Sequence, residues 1–292
     1  MMNKLLSLFL CAFCFSELGA SSIQQRRDQA ASKLAESQRY NSDKYYTLEG
    51  GFIFCVKKSC EELNNAFKQI ITSFDDQQAS KARLKEQLAL IDGQYPSSFQ
   101  KSYNLGVLTY KLQDYPAAEI YFTLAYRLQP FYWKTALWLG KTTQLKGDYR
   151  SSEQWLRLAY QLNPDDFASL VQLADIYLET GQNLKLNSLT SYLRFQKPNS
   201  PELLLLLGKI EMSNKRYQKA YEYFSDKLSQ SIEARYLAYR SAFLSKNFPE
   251  AEHYLQETIK EWNVNTSFSV SRIELKAKLS HLHKLMLKES RE

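Results

Sequence analysis

Cys55 and Cys60 are the only cysteines outside the first 20 residues, where Cys11 and Cys14 lie. In an oxidising compartment a pair this close can close a small disulfide loop, whereas two buried reduced thiols are the alternative, and spacing does not choose between them. The three histidines are His253, His281 and His283. On a helix the last two point roughly 200° apart, so they do not share a metal. Asp75-Asp76 and Asp165-Asp166 are adjacent carboxylates at expected helix starts or turns, where negative charge favours the helix N-terminus. The sequence contains no phosphate-cradling Gly-rich loop, no Gly-x-Ser-x-Gly elbow and no cysteine in a catalytic context. The expectation is a chain that is not an enzyme, binds no metal and calls for no cofactor.

What oxidant the cysteines meet depends on the compartment. Lys4 precedes an apolar run from Leu5 to Phe15, and Leu18-Gly19-Ala20 leads into Ser21. A charged start, an apolar centre and a small-residue exit make residues 1–20 a cleavable export signal, with cleavage after Ala20. An uncleaved anchor is the competing reading, but the run falls short of the roughly 20 residues that cross a bilayer. Cys11 follows Leu10 and Cys14 follows Phe13, both too large for lipoprotein processing. A periplasmic or envelope location is expected, with no transmembrane span after cleavage.

The formal net charge is +7, and removing Lys4 and Glu17 with the signal leaves it unchanged. A basic chain favours acidic partners, anionic membrane surfaces or nucleic acid, yet Lys and Arg here alternate with Asp and Glu. With nine Gly and seven Pro against 44% hydrophobic residues, the composition reads as folded and helical.

The elements that would position any binding residue follow from an internal period. Pro96, Pro130, Pro164 and Pro198 are spaced by 34 residues, as are Gly106, Gly140, Ala174 and Gly208, each preceded by Leu (Leu105, Leu139, Leu173, Leu207). A large residue followed by a small one lets a second helix cross closely at the small position. Proline then starts the next helix, where its missing N–H costs nothing.

With these residues the sequence resembles the tetratricopeptide repeat family. In the unit 99–132, Leu105, Gly106, Ala118, Phe122, Ala125 and Pro130 fall on family positions, with Ser102 replacing the usual Trp and Thr109 the usual Tyr. The unit 133–166 keeps Leu139, Gly140, Ala159 and Pro164, with Ser152 at the first small position of its second helix. The unit 167–200 keeps Leu173, Ala174, Tyr177 and Pro198. A fourth, 201–231, keeps Leu207, Gly208, Ala220 and Phe224, and its Tyr217–Ala220 spacing recurs at Phe248–Ala251, within a fifth unit at 232–265. Residues 60–98 form a degenerate leading repeat. Phe268, Leu275, Leu279, Leu282 and Met286 make one helical stripe within 266–292, suited to a cap, or to contact with anionic lipid. Residues 21–59 are a polar segment, in which apolar runs flanking Gly50-Gly51 could pair as a short hairpin.

The resemblance implies an all-α fold, a right-handed superhelical solenoid of helical hairpins with a C-terminal capping helix. It also implies a concave groove lined by first helices, where a partner peptide or helix binds. The family's inward positions fall on Tyr103, Val107, Tyr110, Lys111, Lys134, Leu137, Lys141, Leu145, Leu178, Lys209, Met212, Tyr236, Arg240 and Phe243. Apolar patches interleaved with cations suit an acidic protein or peptide partner, with packing between hairpins as the plainer role for the same residues. The family's clamp for C-terminal carboxylates needs Lys and Asn where this chain has Tyr103 and Val107, then Leu137 and Lys141, so that recognition is not expected. An exported interaction scaffold or assembly factor is the leading reading. A cytosolic secretion-type chaperone is the alternative, and a single-stranded nucleic-acid binder, against which export argues, is the remote one.

Overall fold

The computed structural model describes residues 46–49, 51–75, 80–225, 231–262 and 270–289. The export signal, the polar stretch before Tyr46, Asp76 and Phe268 lie outside them.

The described chain begins with two strands, β1 (Tyr46–Glu49) and β2 (Phe52–Cys55), paired antiparallel with Leu48 opposite Ile53. The turn between them uses Gly51 at φ +87°, a backbone state that costs glycine little. A 3-10 turn (Lys58–Cys60) leads into α1 (Glu61–Asp75) and α2 (Lys81–Gln94). Three hairpins follow: α3 (Phe99–Lys111) with α4 (Tyr115–Leu128), α5 (Trp133–Leu145) with α6 (Tyr149–Leu162), and α7 (Phe167–Glu179) with α8 (Asn183–Gln196). The chain divides into two compact units at residue 192, inside α8. The second unit contains α9 (Pro201–Ser213), α10 (Tyr217–Ser225), α11 (Ile232–Leu244), α12 (Phe248–Glu261) and α13 (Arg272–Glu289). Among the described residues the fold is all-α apart from the leading β-hairpin, and its helices pack as successive hairpins within each unit.

Local chemistry fixes the ends of most of these helices. Ser98, Asp114, Asp148, Asp166, Ser200 and Ser231 each accept a hydrogen bond from the backbone N–H three residues on, satisfying a first-turn donor. Asp166 thus caps α7, the role expected of the Asp165-Asp166 pair. The turns inside the five hairpins share one device. Gln113, Gly147, Gly181, Lys215 and Lys246 all have φ between 60° and 82°. In each, the next residue's N–H reaches back five residues to a helix carbonyl, as Asp114 does to Thr109 and Asp148 to Thr143, both at 2.9 Å. This left-handed C-terminal cap satisfies carbonyls that would otherwise be orphaned.

The period of small residues works by contact. A Cβ added to Gly106 would sit 2.6 Å from the Phe122 ring, one added to Gly140 would sit 2.6 Å from Leu156, and one added to Gly208 would press on the Phe224 ring. All three partners are fully buried. Where the repeat has Ala174, the residue in step with these partners is the smaller Thr190, also buried.

In the second unit, α13 lays Leu275 and Leu282, both with no exposed surface, onto a cluster containing Tyr239, Ala242, Ala251 and Leu255. Leu279 and Met286 pack at its margin. Among the described residues, no helix is long and apolar enough to cross a membrane.

Candidate functional site

The first-helix face of the first unit starts at α3, and a strand already lies on it. All four residues of β2 are buried. The Ile53 N–H donates to Asn104 Oδ1 at 2.8 Å, and Asn104 Nδ2 donates back to the Ile53 carbonyl at 2.8 Å. Two residues along, Asn64 of α1 donates to the Cys55 carbonyl at 2.8 Å, and Gln100 of α3 holds the Asn64 amide at 2.7 Å. Asparagine side chains therefore satisfy the edge of β2 that faces away from β1, taking the place of a third strand. Phe52 and Phe54 project to the same side of the strand, since side chains alternate. Lys111 lies 5.2 Å from the centre of the Phe52 ring and Lys68 lies 5.5 Å from that of Phe54. The Cys55–Cys60 disulfide ties the end of the strand to the start of α1, with the Cα atoms 5.8 Å apart.

Three of the residues expected to line a groove are instead buried. Tyr103 and Val107 are each 1% exposed, inside the apolar cluster that includes Phe52, Ile53 and Phe54, and Leu137 is 8% exposed. Tyr103 packs against Phe99, Phe122 and Tyr132, and its hydroxyl accepts from Trp138 Nε1 at 2.9 Å. Burial pushes that hydroxyl far above the usual tyrosine range. Residues ahead of the repeats supply a strand that packs in the same cluster as Tyr103 and Val107, and a 34-residue register carries no record of it.

The rest of the first-unit face is more open. Tyr110 is half-buried, its ring edge-on to Tyr115 and Trp138. Lys134 lies 5.4 Å from the Trp133 ring centre and Lys141 lies 5.2 Å from that of Trp138, so both ammonium groups are held over aromatic faces. Leu145 is 51% exposed at the end of α5, and Leu178 on α7 is half-buried. The helices α5 and α7 also carry an amide chain that sequence reasoning missed: Gln172 donates to Gln144 at 2.6 Å, and Gln144 donates to the Glu179 carboxylate at 3.0 Å. Neither glutamine stands on a family signature position, so only their proximity in the fold marks them.

In the second unit, Lys209 of α9 pairs with Glu233 of α11 at 3.2 Å. Met212 packs at the edge of the Phe224 cluster. Tyr236 and Phe243 flank Tyr239, at 5.6 and 6.1 Å between ring centres, and Arg240 is exposed beside them. His253, His281 and His283 are exposed on helices, and His283 Nε2 sits 2.7 Å from Glu252. No group of His, Cys, Asp or Glu among the described residues is placed to hold a metal ion.

The family described as anaphase-promoting complex, cyclosome, subunit 3 matches residues 189–258. None of the curated proteins matches the sequence. Among solved structures, a tetratricopeptide repeat protein from Parabacteroides merdae aligns with TM-score 0.61 at 12% identity, over 92% of this chain and 98% of that one. A thermophilic TPR protein of Thermus thermophilus aligns with TM-score 0.54 at 17% identity, over 63% of this chain and 98% of its own. The Cut9–Hcn1 hetero-tetramer of the anaphase-promoting complex aligns with TM-score 0.56 at 12% identity, over 74% of this chain and 42% of that chain. At these identities the likeness is one of fold, and it agrees with the hairpins, their left-handed caps and their small crossing residues. In its fold, this chain is similar to these tetratricopeptide repeat structures.

Proposed function

We propose that the chain is a protein-interaction scaffold whose first-helix faces hold a segment of an acidic partner, and that it works after export. The observation that carries this reading is the α5 face, where Lys134 and Lys141 are held over Trp133 and Trp138 on the same helix as the exposed Leu145. Cations placed in advance over aromatic rings lose little side-chain freedom when they meet a carboxylate, and an exposed apolar side chain adds burial. Tyr236, Arg240 and Phe243 give the second unit a face of the same chemistry. The charged, apolar and small-residue order of residues 1–20 supports export, and the bonded Cys55–Cys60 pair suits an oxidising compartment.

A photo-crosslinking residue at Leu145 tests the reading in cells. A discrete adduct that disappears with Lys134→Glu/Lys141→Glu is the expected result. Adducts unchanged by the charge reversal would remove the α5 face from any role in binding. N-terminal sequencing of the native protein tests export: a start at Ser21 is expected, and a retained Met1 would favour the cytosolic chaperone reading.

A further inference from the structure

The β2 strand on α3 is bound in the manner of a peptide. Its main chain is gripped by side-chain amides, a mode of contact that reads extended backbone whatever its sequence, and its alternate aromatic residues are buried with a lysine over each ring. Its covalent attachment runs through exposed segments at both ends. On one side the Gly51 turn leads to β1, where Thr47, Leu48 and Glu49 are exposed. On the other, exposed Val56 and Lys57 lead to the 3-10 turn, across which the disulfide is the one covalent shortcut.

We propose that the α3 face is a binding site for an extended, aromatic-bearing strand, filled in the resting protein by its own Phe52–Cys55, with the Cys55–Cys60 disulfide as the lock. The inference rests on the reading that first-helix faces in this chain bind peptides, and it assigns to one of them a built-in occupant. Unlocking is a two-electron exchange. A dithiol reductant gives up two electrons and two protons, the S–S bond breaks to leave thiols at Cys55 and Cys60, and the reductant becomes a cyclic disulfide. The strand, still tethered by its backbone, then exchanges with a partner strand of the same chemistry supplied at sufficient concentration, and displacement leaves Asn104 and Asn64 to grip the newcomer.

The test uses the full chain and a labelled peptide copying residues 46–56 with Cys55→Ser, followed by fluorescence anisotropy. The oxidised chain is expected to bind the peptide at least about ten-fold more weakly than the chain reduced by dithiothreitol or the Cys55→Ser/Cys60→Ser variant. Adding Asn104→Ala, or the isosteric Asn104→Asp should alanine impair folding, is expected to abolish the gain. Hydrogen exchange at the Ile53 amide is expected to accelerate about ten-fold or more on reduction, with α5 to α7 unchanged. Absence of peptide binding by the unlocked chain overturns the proposal, whether or not Ile53 exchange accelerates. So does loss of the cooperative helical melt on reduction, which would make the strand an inseparable part of the core. Charge reversal on α5 does not touch this site, so failure here is separable from failure of the scaffold reading.

Discussion

Asn104 shows what a single side chain decides: its amide engages both main-chain groups of Ile53, and a backbone segment distant in sequence becomes part of the first repeat. Other residues make quieter choices. Gln113, Lys215 and Lys246 hold the left-handed cap where Gly147 and Gly181 hold it in the neighbouring hairpins. Side chains with a Cβ cost roughly 1 kcal/mol in that conformation. Gln113→Gly, Lys215→Gly and Lys246→Gly are each expected to raise stability by up to about 1 kcal/mol, read as a higher urea midpoint at unchanged slope. The opposite sign is expected at the crossings. Gly140→Ala forces a methyl onto Leu156, at a cost of about 1–3 kcal/mol in the same assay. Ser102 is fully buried with an unsatisfied hydroxyl, so Ser102→Ala should be neutral or stabilising. The small residues and their spacing were legible in the sequence. The shared cap was not, because Gln113, Lys215 and Lys246 carry no turn signature.

Elements owe their ends to residues read locally and their stability to faces buried at a distance. The α4 N-cap illustrates the first point. Asp114 is held below the usual carboxylate range, chiefly by the hydrogen bond from Lys85 at 2.7 Å, with the Ala117 N–H and the lysine charge assisting against burial. Because its folded pKa is depressed, the stabilisation is fully present above the unfolded value of about 3.9 and is lost as pH falls through the lower folded value. Acid unfolding of the Lys85→Met variant should therefore show a shallower loss of stability below about pH 4 than the parent. The α13 helix illustrates the second point. Its stripe of Leu275, Leu279, Leu282 and Met286 was visible as a helical period, and its capping role follows from Leu275 and Leu282 being wholly buried in one cluster with α11 and α12 residues. Leu282→Ala should cost about 2–5 kcal/mol and expose the terminal cluster to a hydrophobic dye.

At the scale of the whole molecule, the proposed acidic partner would meet the net charge of +7 and the ring-held lysines together. Binding of an acidic partner should weaken several-fold as salt rises past physiological strength, measured as a fall in the association rate, because screening shortens the reach of the basic surface. Charge is a sum over residues and needs no structure to read. The same is true of the hairpins: a crossing helix needs a small residue once per unit, and repetition of that need along the chain is what the spacing from Gly106 to Gly140, Ala174 and Gly208 records. The sequence by itself thus determined the all-α repeat fold and the starts of the hairpins. Only the tertiary structure decided that Cys55 bonds Cys60, that Tyr103 and Val107 lie buried, and that β2 rests on α3 in the grip of Asn104. The physical reason is range. A repeat is written in contacts between neighbouring hairpins, whereas the strand is held by hydrogen bonds across 51 residues of sequence to an asparagine with no periodic counterpart.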